Sequence, residues 1–263
     1  MTTLTTTSAP AGRRLPPAVH YTLHSALLTA KNVSFVFFAV ALPVILYLVF
    51  SQVFGGVDPG TGTDYGAVTM VNMAAYGSLG AAMSGGAQLA VERRSGWFRQ
   101  LSITALPPRA FLGARIVVIL LIVLPALVLV FAAGYVVGGV RAPPLTWLAS
   151  LGLLWLALLP MTVLGIVIGL WVKAETVQGV TTLSLLVLSL LGGLWFPVQA
   201  MPPVMQSVAH ALPSFWLAEL GRYPFLPAGP FPWTGVWVLA GWSAALTVLG
   251  ALGYRRAAAD SKR

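Results

Sequence analysis

Most of the polar side chains that could do chemistry lie in one segment, residues 92–109, with the sequence ERRSGWFRQLSITALPPR. Ser95 can cap a short helix there, and Pro107 must end it because the residue before a proline is disfavoured in the helical conformation. Trp97, Phe98 and Leu101 share an apolar face of this helix, and its arginine and glutamine stay polar. Such a helix is suited to contact with another protein. The alternative is a helix that folds back onto lipid headgroups.

The lysines exclude one source of energy. A phosphate-binding loop needs a lysine after glycine with serine or threonine following it, and the chain has its three lysines in the contexts Ala-Lys31-Asn, Val-Lys173-Ala and Ser-Lys262-Arg. We therefore expect that the chain is not an enzyme and binds no ATP by that route.

Two other groups of residues resemble reactive sites only superficially. His20 and His24 have a spacing that can hold zinc, but no glutamate or third ligand is near, so we interpret them as the polar face of a helix. Ser84 lies in a Met-Ser-Gly context that is compatible with an intramembrane serine protease. That reading needs a nearby base, and the last apolar segment has no histidine, since His210 precedes it. We expect no catalytic residue and no metal site.

The composition identifies the class of protein that carries these residues. Hydrophobic residues make up 58% of the 263 residues and charged residues only 8%, whereas soluble domains have roughly a quarter charged. The chain has no cysteine, which excludes disulfides and thiolate chemistry. An integral membrane protein remains, and we expect an all-α fold.

Charged residues mark the ends of the membrane spans, because a span needs about 20 residues without charge. We predict six transmembrane helices near residues 33–54, 65–90, 114–138, 145–172, 177–196 and 232–254. Apart from Arg115, the second residue of the third span, they contain no charged acid or base of the kind that proton-coupled carriers place in their spans. Uphill transport would therefore need a partner that supplies the energy.

The distribution of positive charge predicts the orientation. All but Arg141 and Arg222 of the 15 lysines and arginines fall on one side of the six spans, and such residues stay cytoplasmic in short loops. Both termini are therefore expected in the cytoplasm. The net charge of +9 is explained by orientation, and we expect no nucleic-acid partner.

The regions before and after the spans have different predicted roles. We expect residues 1–15 to be a disordered cytoplasmic tail, residues 16–31 an interfacial amphipathic helix on the lipid surface, and residues 255–263 a basic cytoplasmic tail. No signal-peptide pattern precedes residue 33.

Residues 192–224 do not fit a plain helix. Prolines break this apolar stretch repeatedly, and irregular backbone at membrane depth is tolerated only against protein or a watery cavity. We predict a re-entrant outer segment that could cap a translocation path; the alternative is an amphipathic loop resting on lipid. The candidate gate residues are Gly193, Phe196, Pro197, Met201, Pro202, Leu212 and Pro213.

The second span is rich in small residues, which favour close helix packing. They are Gly77, Gly80, Ala81, Ser84 and Gly85. This face could also line a path or a subunit seam.

Several motifs together resemble one family. The pattern Glu92-Arg93-x-x-Gly96, then Leu101-x-x-Thr104-x-x-Pro107 and Gly113-x-Arg115, resembles the loop of type-2 ABC transporter permeases, the membrane subunits of ATP-driven exporters. Lys31-Asn32 and the prolines of residues 192–224 are similar to other parts of that family. The Trp97-Phe98-Arg99 run departs from its usual Thr-Leu-Glu-like residues.

The resemblance implies a function and a mechanism. Residues 32–254 would form a permease domain of an exporter in the plasma membrane, and residues 92–109 would be a coupling loop that docks on a separate ATP-binding subunit. ATP and Mg would be bound by that subunit, and this chain would bind no cofactor. The implied coupling residues are Glu92, Arg93, Gly96, Trp97, Phe98, Arg99, Gln100, Leu101, Thr104 and Pro107.

The complex would contain a second permease copy, as a dimer, or a related permease. The apolar, aromatic-rich spans suit an amphiphilic, lipid-like or drug-like cargo. The competing hypothesis is a passive channel or a structural membrane subunit, which the lack of charge in the spans also fits.

Overall fold

The computed structural model describes residues 37–57, 59–60, 62–95, 108–226 and 229–260. The regular elements in these ranges are helices, apart from an isolated bridge between Val57 and Asp64. The expected all-α fold is therefore confirmed for this part of the chain. The α-helices are α1 (Leu42–Phe54), α2 (Tyr65–Arg94), α3 (Pro108–Val136), α4 (Pro144–Ala157), α5 (Leu159–Trp171), α6 (Val177–Leu191), α7 (Pro203–Ala211), α8 (Pro213–Arg222) and α9 (Trp233–Asp260). The proposed tail and interfacial helix at residues 1–31 lie outside these ranges.

Three helical stretches of the described residues are long and apolar enough to cross a membrane. They are Leu112–Val136, Pro144–Trp171 and Trp233–Ala257. Leu42–Val53 and α6 are apolar but shorter, and α2 has 30 residues with many small and polar side chains. The count of six spans stays a prediction.

The fourth predicted span is divided rather than continuous. Helix α4 ends at Ala157, α5 begins at Leu159, and Pro160 lies in the first turn of α5. Proline has no backbone N–H and its ring clashes with the carbonyl one turn earlier, so the helix is interrupted beside Leu158.

The predicted end of the fifth span is wrong, because α6 ends at Leu191 rather than at residue 196. The amide of Gly193 donates to the Leu190 carbonyl at 3.2 Å, and the amide of Leu194 donates to the Ser189 carbonyl at 3.0 Å. Gly193 has φ +69°, so the bonds form a Schellman motif in which glycine avoids the cost of a left-handed backbone. The glycine pair after the span is thus a helix terminator.

Helix α2 is the centre of the bundle and packs against α1, α3, α5, α6 and α8. Its closest approach is to α5: a Cβ atom on Gly86 would lie 2.4 Å from the Gly165 carbonyl carbon, and a Cβ on Gly165 would lie 2.5 Å from the Met83 oxygen. The small residues of α2 thus allow backbone-to-backbone packing. Gly80 and Gly85 contact Leu185 and Ile119 instead, so the tightest contact is at a glycine outside the predicted set.

Candidate functional site

The last turn of α2 and the second turn of α3 are joined by an ion pair. Arg115 Nη2 donates to Glu92 Oε1 at 2.7 Å and to the Gly85 carbonyl at 3.2 Å. The Arg115 side chain is only 9% exposed and the Glu92 side chain 26%. Removing one partner would leave the other charge poorly solvated, so the pair fixes the two ends of the 95–107 segment.

Arg93, the next residue of α2, contacts a different helix. Its Nη1 atom donates to the Gly169 carbonyl at 3.2 Å and also to the Leu170 carbonyl, both in the last turn of α5. Carbonyl groups at a helix C-terminus lack intrahelical partners and carry partial negative charge, so a cation is stabilised there. Gly169 also packs closely, since a Cβ on it would lie 2.7 Å from the Gly86 oxygen.

Arg94, the third charged residue in this run of α2, makes a solvent-exposed contact. Its Nη1 atom lies 2.9 Å from Glu175 Oε1, in the turn between α5 and α6, and the two side chains are 69% and 59% exposed. Exposed pairs of this kind contribute little to stability. Ser95 is the C-cap residue of α2, where its hydroxyl donates to the Glu92 carbonyl at 2.8 Å.

Three consecutive residues of α2 thus contact three different elements: the start of α3, the end of α5 and the turn after α5. We call this group, Glu92, Arg93, Arg94 and Arg115, the charged hub. Of the predicted coupling residues, Glu92 and Arg93 lie in it. The others, Gly96, Trp97, Phe98, Arg99, Gln100, Leu101, Thr104 and Pro107, fall outside the described residues.

The predicted gate residues lie between α6 and α8. Gly193 ends α6, Pro197 precedes a 3₁₀ turn at Val198–Ala200, and Pro202 precedes α7. Leu212 and Pro213 mark the break between α7 and α8, which are packed together. Phe196 is exposed, and the Met201 carbonyl accepts a hydrogen bond from Gln206 Nε2 at 2.8 Å. The region is a pair of short helices, and its depth in the membrane stays a prediction.

Two tryptophans hold this pair of helices together. Pro213 cannot donate a backbone hydrogen bond, which leaves carbonyls at the end of α7 without helical partners. Trp216 Nε1, from α8, donates to the His210 carbonyl at 2.7 Å, and Trp242 Nε1, from α9, donates to the Ala211 carbonyl at 2.9 Å. The break is therefore stabilised by side chains from α8 and α9.

Ser214 fixes the other side of the same region. Its hydroxyl donates to the Leu188 carbonyl of α6 at 2.7 Å, and it lies where a Cβ on Gly192 would be 2.3 Å from its oxygen. Trp216 was expected as an interfacial aromatic at the end of the re-entrant segment, whereas Ser214 and Trp242 were not predicted to have a role. For Ser214 and Trp216 the sequence signal is a hydrogen-bond donor shortly after the Leu212–Pro213 break, and Trp242 has no local signal.

A largely polar face runs along α2, and its members other than Tyr76 are less buried than most of this helix. Its members recur at steps of three or four residues: Thr69, Asn72, Tyr76, Gly80, Ser84 and Gln88. Gln88 is exposed, and Asn72 Oδ1 has no hydrogen-bond partner among the described residues. Tyr76 contacts Trp195 edge to face, with ring centroids 5.5 Å apart. Amide side chains are costly against lipid, so this face suits a protein contact or water.

The described residues hold no group of three His, Asp or Glu side chains that could bind a metal ion.

Two comparisons with known proteins give matches that cover most of the chain. The sequence profile of the ABC-2 type transporter family matches residues 22–226. A relative, named "Putative transport permease YvfS", from Bacillus subtilis (strain 168), is 27% identical over 210 residues, which cover 80% of this chain and 85% of the relative.

Proposed function

Because the chain belongs to the ABC-2 type transporter family, we propose that it is the membrane subunit of an ATP-driven exporter for an amphiphilic, lipid-like or drug-like solute. It is a multi-pass membrane protein, and the family is one of transport permeases. In this proposal it has six spans in the plasma membrane and two cytoplasmic termini. ATP and Mg are bound by a separate subunit, and a second permease copy or a related permease completes the path.

The charged hub is the observation that carries the proposal. Glu92, Arg93 and Arg94 immediately precede the predicted coupling helix, and they contact α3, the end of α5 and the turn after α5. A load applied to residues 96–107 by an ATPase would therefore move α2, α3 and α5 together. The close glycine packing between α2 and α5 makes that unit stiff. A passive channel needs no such attachment.

The polar face of α2 supports the position of the path. In the proposed assembly Ser84 and Gln88 face a water-filled cavity between two permease copies, because lipid would leave their polar groups without partners. The hairpin of α7 and α8 would close this cavity on the outer side. A mixed polar and aromatic lining fits an amphiphilic cargo.

A co-purification experiment tests this function. The tagged chain is isolated from its native membrane and the associated ATPase is measured, for the unaltered protein and for Trp97→Ala and Leu101→Asp. Both variants are expected to insert normally, lose the ATPase and lose transport. Trp237→Ala is the matched control, since this exposed tryptophan lies near the start of α9 and is not part of the charged hub. Normal association and transport in both loop variants would refute the assignment.

A further inference from the structure

Cations at the charged end of the bundle divide into two groups. Arg93, Arg94 and Arg115 are each occupied by carbonyl or carboxylate oxygens. Lys173, Arg255 and Arg256 are not: their side chains make no hydrogen bond or ion pair to another residue of the described part. Three cations are thus left in the turn after α5 and in the last turns of α9.

Trp171 organises this second group. Its indole Nε1 donates to the Leu249 carbonyl of α9 at 3.1 Å, and the Arg256 guanidinium carbon lies 5.6 Å from its ring centroid. Gly253 makes room for the ring, since a Cβ there would lie 2.5 Å from Trp171 Nε1. The ring is nevertheless 46% exposed. It therefore orients Arg256 by a cation–π contact without using the guanidinium's hydrogen-bond donors.

The surface next to these cations is apolar. Leu252 lies one turn before Arg256 on α9, and Val248 lies one turn before Leu252; these side chains are exposed. Along α9 the surface begins with the apolar side chains of Val248 and Leu252, continues with the ring of Trp171, which comes from α5, and ends with the cations. A phospholipid in a bilayer has a matching order, with an apolar acyl chain, then an interfacial region, then a charged phosphate.

We propose that the surface formed by Trp171, Lys173, Arg255 and Arg256, with Leu252 and Val248 beside it, binds one anionic phospholipid. The phosphate is held by the cations, and one acyl chain lies along α9. Glu175, two residues after Lys173, does not neutralise the surface because it is paired with Arg94. The site adjoins the end of α5 that Arg93 holds, so a bound lipid would stabilise the charged hub from the other side.

Native mass spectrometry of the purified full chain tests the site. The protein in detergent is titrated with phosphatidylglycerol and with phosphatidylcholine, and bound lipid is counted. We expect preferential retention of phosphatidylglycerol. Removal of one cation, in Arg256→Gln or Lys173→Gln, should weaken its binding about fivefold, as expected for a basic residue near an anionic headgroup. Binding of phosphatidylcholine should not change, and Arg256→Lys should keep most of the affinity.

Arg141→Gln is the matched control. Arg141 also lies over an aromatic ring, 4.5 Å from the Tyr135 centroid, but its guanidinium already donates to the Tyr135 and Val140 carbonyls. Its substitution should leave phosphatidylglycerol binding unchanged. Equal losses in the Arg141 and Arg256 variants would overturn the proposal.

Two further arms separate the other possible occupants. Millimolar inorganic phosphate should not displace phosphatidylglycerol, and displacement would show a site for free phosphate instead of a lipid. If Arg256→Gln and Lys173→Gln leave lipid binding unchanged but release the ATPase, the cations serve protein docking and the proposal is wrong. Because lipid binding is measured on the chain without ATP or cargo, a failure here is distinguishable from a failure of the transport function.

Discussion

Glu92 and Arg115 connect two helices at the point where the chain leaves the bundle for the predicted coupling loop. The pair is largely withdrawn from water, and Arg115 also donates to the Gly85 carbonyl. A substitution in this pair should therefore cost more stability than one at the nearby Arg94, whose partner Glu175 is mostly exposed. The two pairs therefore form a natural comparison.

We predict that Glu92→Gln or Arg115→Gln lowers the free energy of unfolding by about 2–3 kcal/mol, because each leaves a partly buried charge without its partner. The double variant should cost less than the sum of the single ones. Thermal unfolding of the purified protein measures this. Arg94→Gln is the control and should change stability by less than about 1 kcal/mol. Equal effects at Arg94 and Arg115 would show that the hub does not depend on the buried pair.

The tryptophans at the α7–α8 break give a second prediction at this scale. Trp216→Phe and Trp242→Phe keep a ring but remove the donors to the His210 and Ala211 carbonyls. Each should lower the free energy of unfolding by about 1–2 kcal/mol and speed proteolysis of the hairpin. Trp237→Phe, at a ring that is 73% exposed, should change neither quantity. Unaltered proteolysis in the first two variants would contradict the capping role.

Among the helices, the contact of α2 with α5 is the one that sequence reasoning located only approximately. Small residues in the second span indicated close packing, but Gly80 and Gly85 meet side chains, and the backbone contact is formed by Gly86 and Gly165. Composition identifies which helix packs closely. Which of its small residues face the neighbouring helix depends on the packing of the whole bundle, and a single sequence does not contain that information.

We predict that Gly86→Ala or Gly165→Ala destabilises the protein by at least about 2 kcal/mol, since either Cβ would meet backbone atoms that cannot move aside. The unfolding midpoint and ATP-dependent transport should fall together. Gly152→Ala in α4 is the control, because a Cβ there meets nothing within 4 Å. It should be neutral or stabilise by about 0.5–1 kcal/mol. Tolerance of alanine at positions 86 and 165 would rule out a rigid α2–α5 unit.

Helix ends show where sequence reasoning is accurate and where it is not. Charges and loop acids marked the start of α2 well, because Asp64 caps it by accepting from the Gly66 and Ala67 amides. The end of α6 was placed too late, because apolar residues continue past a helix that Gly193 has already ended. The partners of Arg93 and Arg115 come from distant parts of the chain, and no local pattern indicates them.

For the whole molecule, the six-span orientation can be tested directly because the chain has no cysteine. We predict that Val57→Cys and Val137→Cys react with a membrane-impermeant maleimide in intact cells. Ser95→Cys and Thr176→Cys should react only after the membrane is permeabilised. All four side chains to be replaced are exposed and lie outside the helices. Labelling of all four from outside, or a reversed pattern, would contradict the proposed topology.

In the proposed function this permease supplies no energy of its own and is driven by an ATPase through the segment that follows the charged hub. Reconstitution in vesicles tests it most directly: accumulation of a candidate amphiphilic cargo is measured with the chain alone, and with the co-purified ATPase and ATP. We predict no uphill accumulation with the chain alone and ATP-dependent accumulation with both. Accumulation against a gradient by the chain alone would contradict the proposed function.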